Sequence, residues 1–475
     1  MNAENKTFHI LTFGCQMNVH DSDWLGRALC AHGWTRAPED RARVVVVNTC
    51  SVREKPERKV YSLLGRLAGL GADVPGRFLA VGGCVAQQVG RGFFERFPQV
   101  RLVFGTDQTA RAPQALEALV SGAEPGPLAL LDFEPAFLPR ALYLPEGGGA
   151  ADAPGHDGGA ARPDDGQALA RPGQAFVNIM QGCDNFCAYC IVPYVRGRQK
   201  SRPAAEVLAE VRALAGRGVR EVTLLGQNVN SYGLDRHGDG TGFAGLLRQV
   251  CAVDGVARVR FTTSHPKDLA PEVVDAFATL PQLCPALHLP LQAGSDRILH
   301  AMGRRYDMRR YLDLVAALRA ARPDIALTTD LMVGFPGETE ADFQLTLEAM
   351  RAVGYESSFS FAYSDRPGTR SVDMAPKIAK DEKLDRLARL QALQEELTAR
   401  ALAARVGAGA VVLLEAESRR QDGRGPVAWR GRDEGGRVVN VPLGGRGGRP
   451  GQLVDVRIVQ AKKHSLRGEA VGEPW

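Results

Sequence analysis

Gln181-Gly182-Cys183-Asp184-Asn185-Phe186-Cys187-Ala188-Tyr189-Cys190 is the stretch that decides the fold. Its three cysteines, spaced by four and then three residues, directly follow an apolar strand pattern, Phe176–Met180. Thiolates are soft ligands that select iron–sulfur clusters or zinc. A cubane cluster takes four ligands and the motif offers three, so one iron stays open to a group that is not protein. A zinc knot and three unrelated buried thiols are the alternatives. Zinc usually closes with four protein ligands, and no partner Cys or His follows at short range.

Working outward from the motif, six strand candidates run in order: Phe176–Met180, Glu221–Leu225, Arg258–Thr262, Ala286–Leu289, Leu327–Val333 and Ser358–Tyr363. Helical patterns such as Ala204–Leu214, Tyr311–Ala321 and Glu340–Val353 separate them. Six βα units predict a partial, open (β/α)6 barrel over 173–401, with ligands at the C-terminal strand ends. A closing helix carries Leu384, Leu387, Leu390, Leu393 and Leu397, read as one apolar stripe.

Before the barrel, residues 6–140 alternate short apolar runs (Phe8–Leu11, Val44–Val47, Phe78–Val81) with helical stretches (Asp21–Ala31, Glu54–Leu67). That alternation predicts an α/β domain with a doubly wound parallel sheet. Cys15, Cys50 and Cys84 each lie within a few residues of the end of such a run. In a parallel sheet those ends share one edge, where ligands bind. The matched settings therefore predict a second thiol triad without any local motif. Cys30, Cys251 and Cys284 lack such settings and read as small buried hydrophobes.

Residues 141–172 lose all periodicity. Gly, Ala, Asp and Pro dominate from Pro145 to Pro172, which predicts a flexible linker. Residues 404–470 show four short strand candidates between Gly-rich turns: Val411–Leu414, Val427–Trp429, Val438–Val441 and Val454–Ile458. They predict a small all-β barrel.

The chain has 475 residues and a net charge of +5, which suggests about three domains. The stretch from Ala401 to Trp475 alone accounts for the +5, which suits a polyanion partner as well as an ordinary solvated surface. Nine cysteines in a chain of this size point to metal binding or catalysis rather than a disulfide framework. No signal peptide and no run of about 18 apolar residues is visible. The expectation is a cytoplasmic protein without a membrane partner.

These motifs resemble the methylthiotransferases of the radical S-adenosylmethionine (SAM) superfamily. The carriers are Gly14-Cys15-Gln16-Met17-Asn18-Val19-His20-Asp21-Ser22, Asn48-Thr49-Cys50-Ser51-Val52-Arg53-Glu54-Lys55 and Gly83-Cys84-Val85-Ala86-Gln87-Gln88. In the barrel they are Leu224-Leu225-Gly226-Gln227-Asn228-Val229-Asn230, Thr263-Ser264-His265-Pro266-Lys267, His288-Leu289-Pro290-Leu291-Gln292-Ala293-Gly294-Ser295 and Tyr363-Ser364-Asp365-Arg366-Pro367-Gly368-Thr369. The tail ending His464-Ser465-Leu466-Arg467-Gly468-Glu469 resembles a TRAM domain, a small RNA-binding barrel. Gln16-Met17-Asn18 resembles the tRNA (MiaB) type more than the relatives that act on ribosomal protein.

The resemblance implies that Cys183, Cys187 and Cys190 hold a radical-generating 4Fe-4S cluster whose open iron chelates SAM. It implies an auxiliary 4Fe-4S cluster on Cys15, Cys50 and Cys84 that carries the sulfur to be donated. Two SAM molecules would serve each turnover, one as methyl donor and one as radical source. The implied substrate is isopentenyladenosine beside the tRNA anticodon, methylthiolated at carbon 2. Tyr189, Gly226, Gln227, Asn228, Gln292, Gly334 and Phe335 are the implied cofactor contacts. Arg196, Arg198 and Arg467 are substrate-binding candidates. Arg196 and Arg198, with Lys200 and Arg202, could meet substrate phosphates or the cofactor carboxylate, or form a solvated charged face. An electron donor and a sulfur source are further implied partners, and a monomer is expected. No role attaches to His265 or His288. The rivals are the same chemistry on threonylcarbamoyl-adenosine tRNA or a ribosomal-protein aspartate, and a zinc-stabilised RNA-binding module.

Overall fold

The computed structural model describes residues 6–475, apart from 52–53, 71–73, 139, 144–171, 237, 419–427 and 445. The expected linker lies almost wholly outside the described residues.

Four valines in a row, Val44 to Val47, bury completely because the N-terminal sheet is covered on both faces. Its six strands are all parallel, in the order Thr35–Arg36, Thr7–Thr12, Val44–Thr49, Phe78–Gly83, Val100–Phe104, Leu128–Leu130. Helices Gln16–Ala31 and Ala112–Ser121 pack on one face through Trp24, Leu25 and Leu116. Helix Glu54–Gly69 packs on the other through Val60, Leu64 and Leu67. The order reverses between Thr7–Thr12 and Val44–Thr49, which is where doubly wound sheets open a ligand crevice at their carboxyl edge. The first helix begins directly after Cys15, five residues earlier than the apolar period suggests.

The barrel strands fall at Gln174–Asn178, Glu221–Leu225, Arg258–Thr262, Ala286–His288, Ala326–Val333 and Ser357–Ala362. They form two three-stranded parallel sheets joined by a bridge between Val259 and Leu283. Among the described residues the first and last strands do not pair, so the barrel stays open. Helix Lys380–Ala403 closes it along most of the expected leucine stripe, with Leu390, Leu393 and Leu397 buried and Leu387 packed against the core. Leu384 is exposed, and the buried row is Arg386, Leu390, Leu393 and Leu397. Arg386 buries because it meets the carboxylate of Glu338 at 2.7 Å. Cys30 is also a correction: it lies exposed at the end of its helix, whereas Cys251 and Cys284 are buried.

The C-terminal domain is a closed barrel of Gly409–Glu417, Ala428–Arg432, Val438–Pro442, Leu466–Ala470 and Leu453–Ala461. Leu466–Ala470 was not among the four expected strands. It closes the barrel by pairing parallel to Val438–Pro442, with Leu466 and Gly468 inward and Arg467 outward. Val427, the expected start of one strand, lies outside the described residues.

The domains are docked by buried charge. Arg258 donates to the carbonyls of Val411 and Arg432, Arg260 to that of Asp433, and Arg437 pairs with Glu356. On the other side Lys200 pairs with Asp107, and Thr106 Oγ1 donates to the Val195 carbonyl at 2.9 Å. Among the described residues no helix is long and apolar enough to cross a membrane.

Candidate active site

The cysteine loop of the barrel is an excursion between two short antiparallel strands, Met180–Gln181 and Lys200–Ser201. Among the bonds that hold it are Cys183 N–H to the Gly197 carbonyl (3.3 Å), Ala188 N–H to Met302 (2.8 Å) and Cys190 N–H to Cys187 (3.0 Å). Burial pushes the Cys183 thiol up to about 11 and the Cys190 thiol up to about 12.

Cys187 is flanked by two side chains distant in sequence. Arg304 Nη1 donates to its sulfur at 3.5 Å, and His265 Nε2 lies at 4.0 Å. Burial, reinforced by Arg304, keeps His265 neutral. The Lys267 amide donates to His265 Nδ1 at 3.2 Å, so the ring proton sits on Nε2 and points to Cys187. Neither contact was legible in the sequence, because Arg304 stands 117 residues from Cys187.

Cys15, Cys50 and Cys84 follow three neighbouring parallel strands, Thr7–Thr12, Val44–Thr49 and Phe78–Gly83. An asparagine clasp joins the first two loops. Asn18 Nδ2 donates to the Thr49 carbonyl (2.9 Å) and to Asn48 Oδ1 (3.1 Å), while Asn48 Nδ2 returns to the Asn18 carbonyl (2.9 Å). Gly14 permits the approach: its φ is +137°, and a Cβ there would stand 2.5 Å from that of Cys50. A hydrogen bond with Cys50 lowers the thiol of Cys15, an exposed residue, to about 6, with Arg196 helping. Burial pushes the Cys84 thiol up.

Cys15 and the three barrel cysteines share one cavity of about 410 Å³, which Cys50 and Cys84 do not line. Cys183, Cys187 and Cys190 line it from the barrel, and Cys15, Gln16 and Met17 line it from the N-terminal domain. Tyr189, Gly226, Gln227, Asn228 and Gln292 line it too. Gln227 Oε1 accepts from the Gly182 amide at 2.6 Å, tying the second strand end to the cysteine loop. Asn228 accepts from the His265 amide (3.1 Å) and donates to Asp268 (2.7 Å). Gln292 is buried in left-handed backbone, φ +75°, and its Oε1 has no hydrogen-bond partner among the described residues. Gly334 and Phe335 stand behind the wall: Phe335 packs edge-on against Tyr363, which does line the cavity. His288 and Asp330 also line it, 3.5 Å apart.

The basic residues after the motif divide. Arg198 is exposed and paired to Asp184 at 2.7 Å. Lys200 and Arg202 are buried in pairs with Asp107 and Glu210, so neither offers its charge to a phosphate. Arg196 is buried and turned toward the Cys15 set. Arg467 is exposed on the outside of the C-terminal barrel.

Among the described residues no three Cys, His, Asp or Glu side chains converge tightly enough for one metal ion, which would need each sulfur at about 2.3 Å. A cubane spreads its ligands over separate iron corners. Two sets of three thiols, each one short of four, suit that chemistry and not a closed mononuclear site.

Residues 177–350 match the radical SAM superfamily, 7–105 the uncharacterized protein family UPF0004 and 404–471 the TRAM domain. The fold is similar to that of a radical SAM methyltransferase, TsrM from Kitasatospora setae, with a TM-score of 0.54 and 15% identity over 77% of this chain and 73% of that one. Fold and site thus define an iron–sulfur radical SAM transferase, a class that uses a 4Fe-4S cluster and SAM. The chain is 58% identical to the tRNA-2-methylthio-N(6)-dimethylallyladenosine synthase of Nitratidesulfovibrio vulgaris strain Hildenborough, over 99% of this chain and 100% of the relative. It is 55% identical to that of Oleidesulfovibrio alaskensis, over 98% and 99%. It belongs to the family of tRNA-2-methylthio-N(6)-dimethylallyladenosine synthases.

Proposed function

We propose that this chain methylthiolates carbon 2 of N6-dimethylallyladenosine, that is isopentenyladenosine, next to the anticodon of tRNA. The observation that carries the reading is the shared cavity: Cys15 faces Cys183, Cys187 and Cys190 across one space. With Cys15 of one thiol set and all three thiols of the other at one cavity, hydrogen abstraction and sulfur donation can act on the same carbon.

Cys183, Cys187 and Cys190 hold the radical cluster, and Cys15, Cys50 and Cys84 an auxiliary one. When bound, the clusters and two SAM molecules per turnover supply a 5′-deoxyadenosyl radical and a methylated sulfur. Arg304 and His265 donate toward the Cys187 sulfur and orient it. Tyr189, Gly226, Gln227 and Asn228 form the wall for SAM, and the idle Oε1 of Gln292 offers it an acceptor. Phe335 acts from behind by packing on Tyr363, and Gly334 supplies the left-handed turn, φ +72°, that precedes it. The target base must leave its stack to enter so enclosed a site, which a single-stranded anticodon loop permits. Arg198 and Arg467, exposed on two domains, grip phosphates, a contact that weakens with salt. An electron donor and a sulfur source complete the cycle, and the chain works as a monomer in the cytoplasm.

The test has two parts. Transfer RNA from a deletion strain should lose the methylthio nucleoside and accumulate isopentenyladenosine; loss of a methylthiolated threonylcarbamoyl-adenosine instead would overturn the substrate. Anaerobically purified protein should hold about eight irons with matching sulfide, and Cys15→Ala/Cys50→Ala/Cys84→Ala should keep about half. Zinc without iron would end the enzyme reading.

A further inference from the structure

Arg196 is an anomaly in this fold. Its residue is 3% exposed, yet among the described residues neither Nη1 nor Nη2 meets an acceptor in hydrogen-bond geometry, and the partner that acts on it most is the Cys84 thiol. A guanidinium stays charged in proteins, and buried donors are normally satisfied because leaving them unmade is costly. The nearest carboxylate, Asp21, lies 4.0 Å away, beyond hydrogen-bond reach, and is already held by Arg140 at 2.8 Å. The guanidinium therefore keeps donors and charge to offer an acidic group on the side it faces.

That side is the Cys15 set, and both domains fix the segment that carries the guanidinium there. The Arg196 amide donates to Val192 at 2.8 Å, ending the short helix Val192–Val195. Ile191 and Val195 of the same segment pack against Cys84. The Val195 carbonyl is pinned by Thr106 of the N-terminal domain at 2.9 Å. Against its burial, the charge of Arg196 is favoured by Cys84, Asp21, Cys15 and Cys50. The thiols come from one domain and the arginine from the other.

We propose that Arg196 is a positioning residue for the group held by Cys15, Cys50 and Cys84, its counter-charge and hydrogen-bond donor, supplied by the barrel to raise that group's reduction potential. This rests on the reading of those thiols as a cluster site. Hydrogen bonds to sulfur and local net charge both set cluster potentials. A fixed positive charge favours the reduced, more negative state, so removing it lowers the potential. The auxiliary site is therefore complete only when the two domains are docked, which ties the sulfur-carrying site to the radical site at one cavity.

The test uses the full-length chain with Cys183→Ala, Cys187→Ala and Cys190→Ala, so that only the second site can hold iron. Into this background go Arg196→Met and Arg196→Lys. After anaerobic reconstitution, iron and sulfide are counted and the midpoint potential is read by redox titration with electron paramagnetic resonance. The potential reads only the part of the interaction that differs between the reduced and oxidised states, for which about a factor of ten is the expected scale when a charged donor is lost. At the potential where the parent is half reduced, R196M should therefore show a reduced-to-oxidised ratio about tenfold smaller, about 59 mV for a one-electron couple. R196K, which keeps the charge, should fall between the two. Loss of iron from R196M with retention in R196K also supports the role. Full iron with an unchanged potential in R196M overturns it, and so does equal loss from both variants. Absence of iron from the background itself would instead sink the second cluster, whatever Arg196 does.

Discussion

Gly182 gives the sharpest test of how the cysteine loop is held. Its φ is +80°, and an added Cβ would stand 2.1 Å from the Arg198 carbonyl oxygen. Real Cβ atoms essentially never come within 3.0 Å of such an atom, so Gly182→Ala forces a retreat of about 0.9 Å (3.0 less 2.1) between two backbones. The Cys183 N–H bond to Gly197, already 3.3 Å, cannot survive that shift. Gly218 supplies the control: its φ is +85°, but nothing lies within 4 Å of an added Cβ. The left-handed backbone costs an L-residue about 1–2 kcal/mol at either position. Only Gly182→Ala adds an unmade buried hydrogen bond, about 1–3 kcal/mol more. The totals are about 2–5 kcal/mol for Gly182→Ala and about 1–2 kcal/mol for Gly218→Ala. The assay is iron content after anaerobic reconstitution, alongside thermal unfolding. Gly182→Ala should lose about half the iron, the share of the barrel site, and melt below Gly218→Ala, which keeps it all. If both variants bind equal iron and melt together, close backbone approach does not hold the loop.

Two further outcomes follow from buried charge. Arg386→Met leaves Glu338 unpaired between the last barrel helix and the fifth strand end; breaking a buried pair costs about 3–5 kcal/mol. A barrel of this size should then melt roughly 6–20 °C lower, with much of the loss recovered in the double variant Glu338→Gln/Arg386→Met. Asp342 is the second: burial works against its charge, but Arg297, Ser295 and Thr339 hold its carboxyl well below the usual range. A depressed folded-state pKa contributes stability above the unfolded value of about 3.9 that is lost as pH falls below it. Unfolding midpoints between pH 5 and pH 2 should therefore drop less steeply for Asp342→Asn than for the parent, and parallel curves would contradict the assignment.

The sequence by itself determined what depends on near neighbours. Cys183, Cys187 and Cys190 share one loop, so their spacing announces a cluster whatever the rest of the chain does. The strands Glu221–Leu225 and Arg258–Thr262 have their expected bounds because their core residues, Val222, Leu224, Val259 and Phe261, recur at every second position. Cys15, Cys50 and Cys84 were legible as a set because a parallel sheet brings equivalent strand ends to one edge. The tertiary structure alone decided what depends on packing between distant segments. Arg196 reads like its neighbours Arg198, Lys200 and Arg202, yet docking sends it to the thiols of another domain, Lys200 and Arg202 to buried carboxylates, and Arg198 to solvent. Leu466–Ala470 is too short and too polar in pattern to announce a strand until Val438–Pro442 lies beside it. A side chain's burial and partner are set by whichever surface closes over it, and local order along the chain carries no record of that surface.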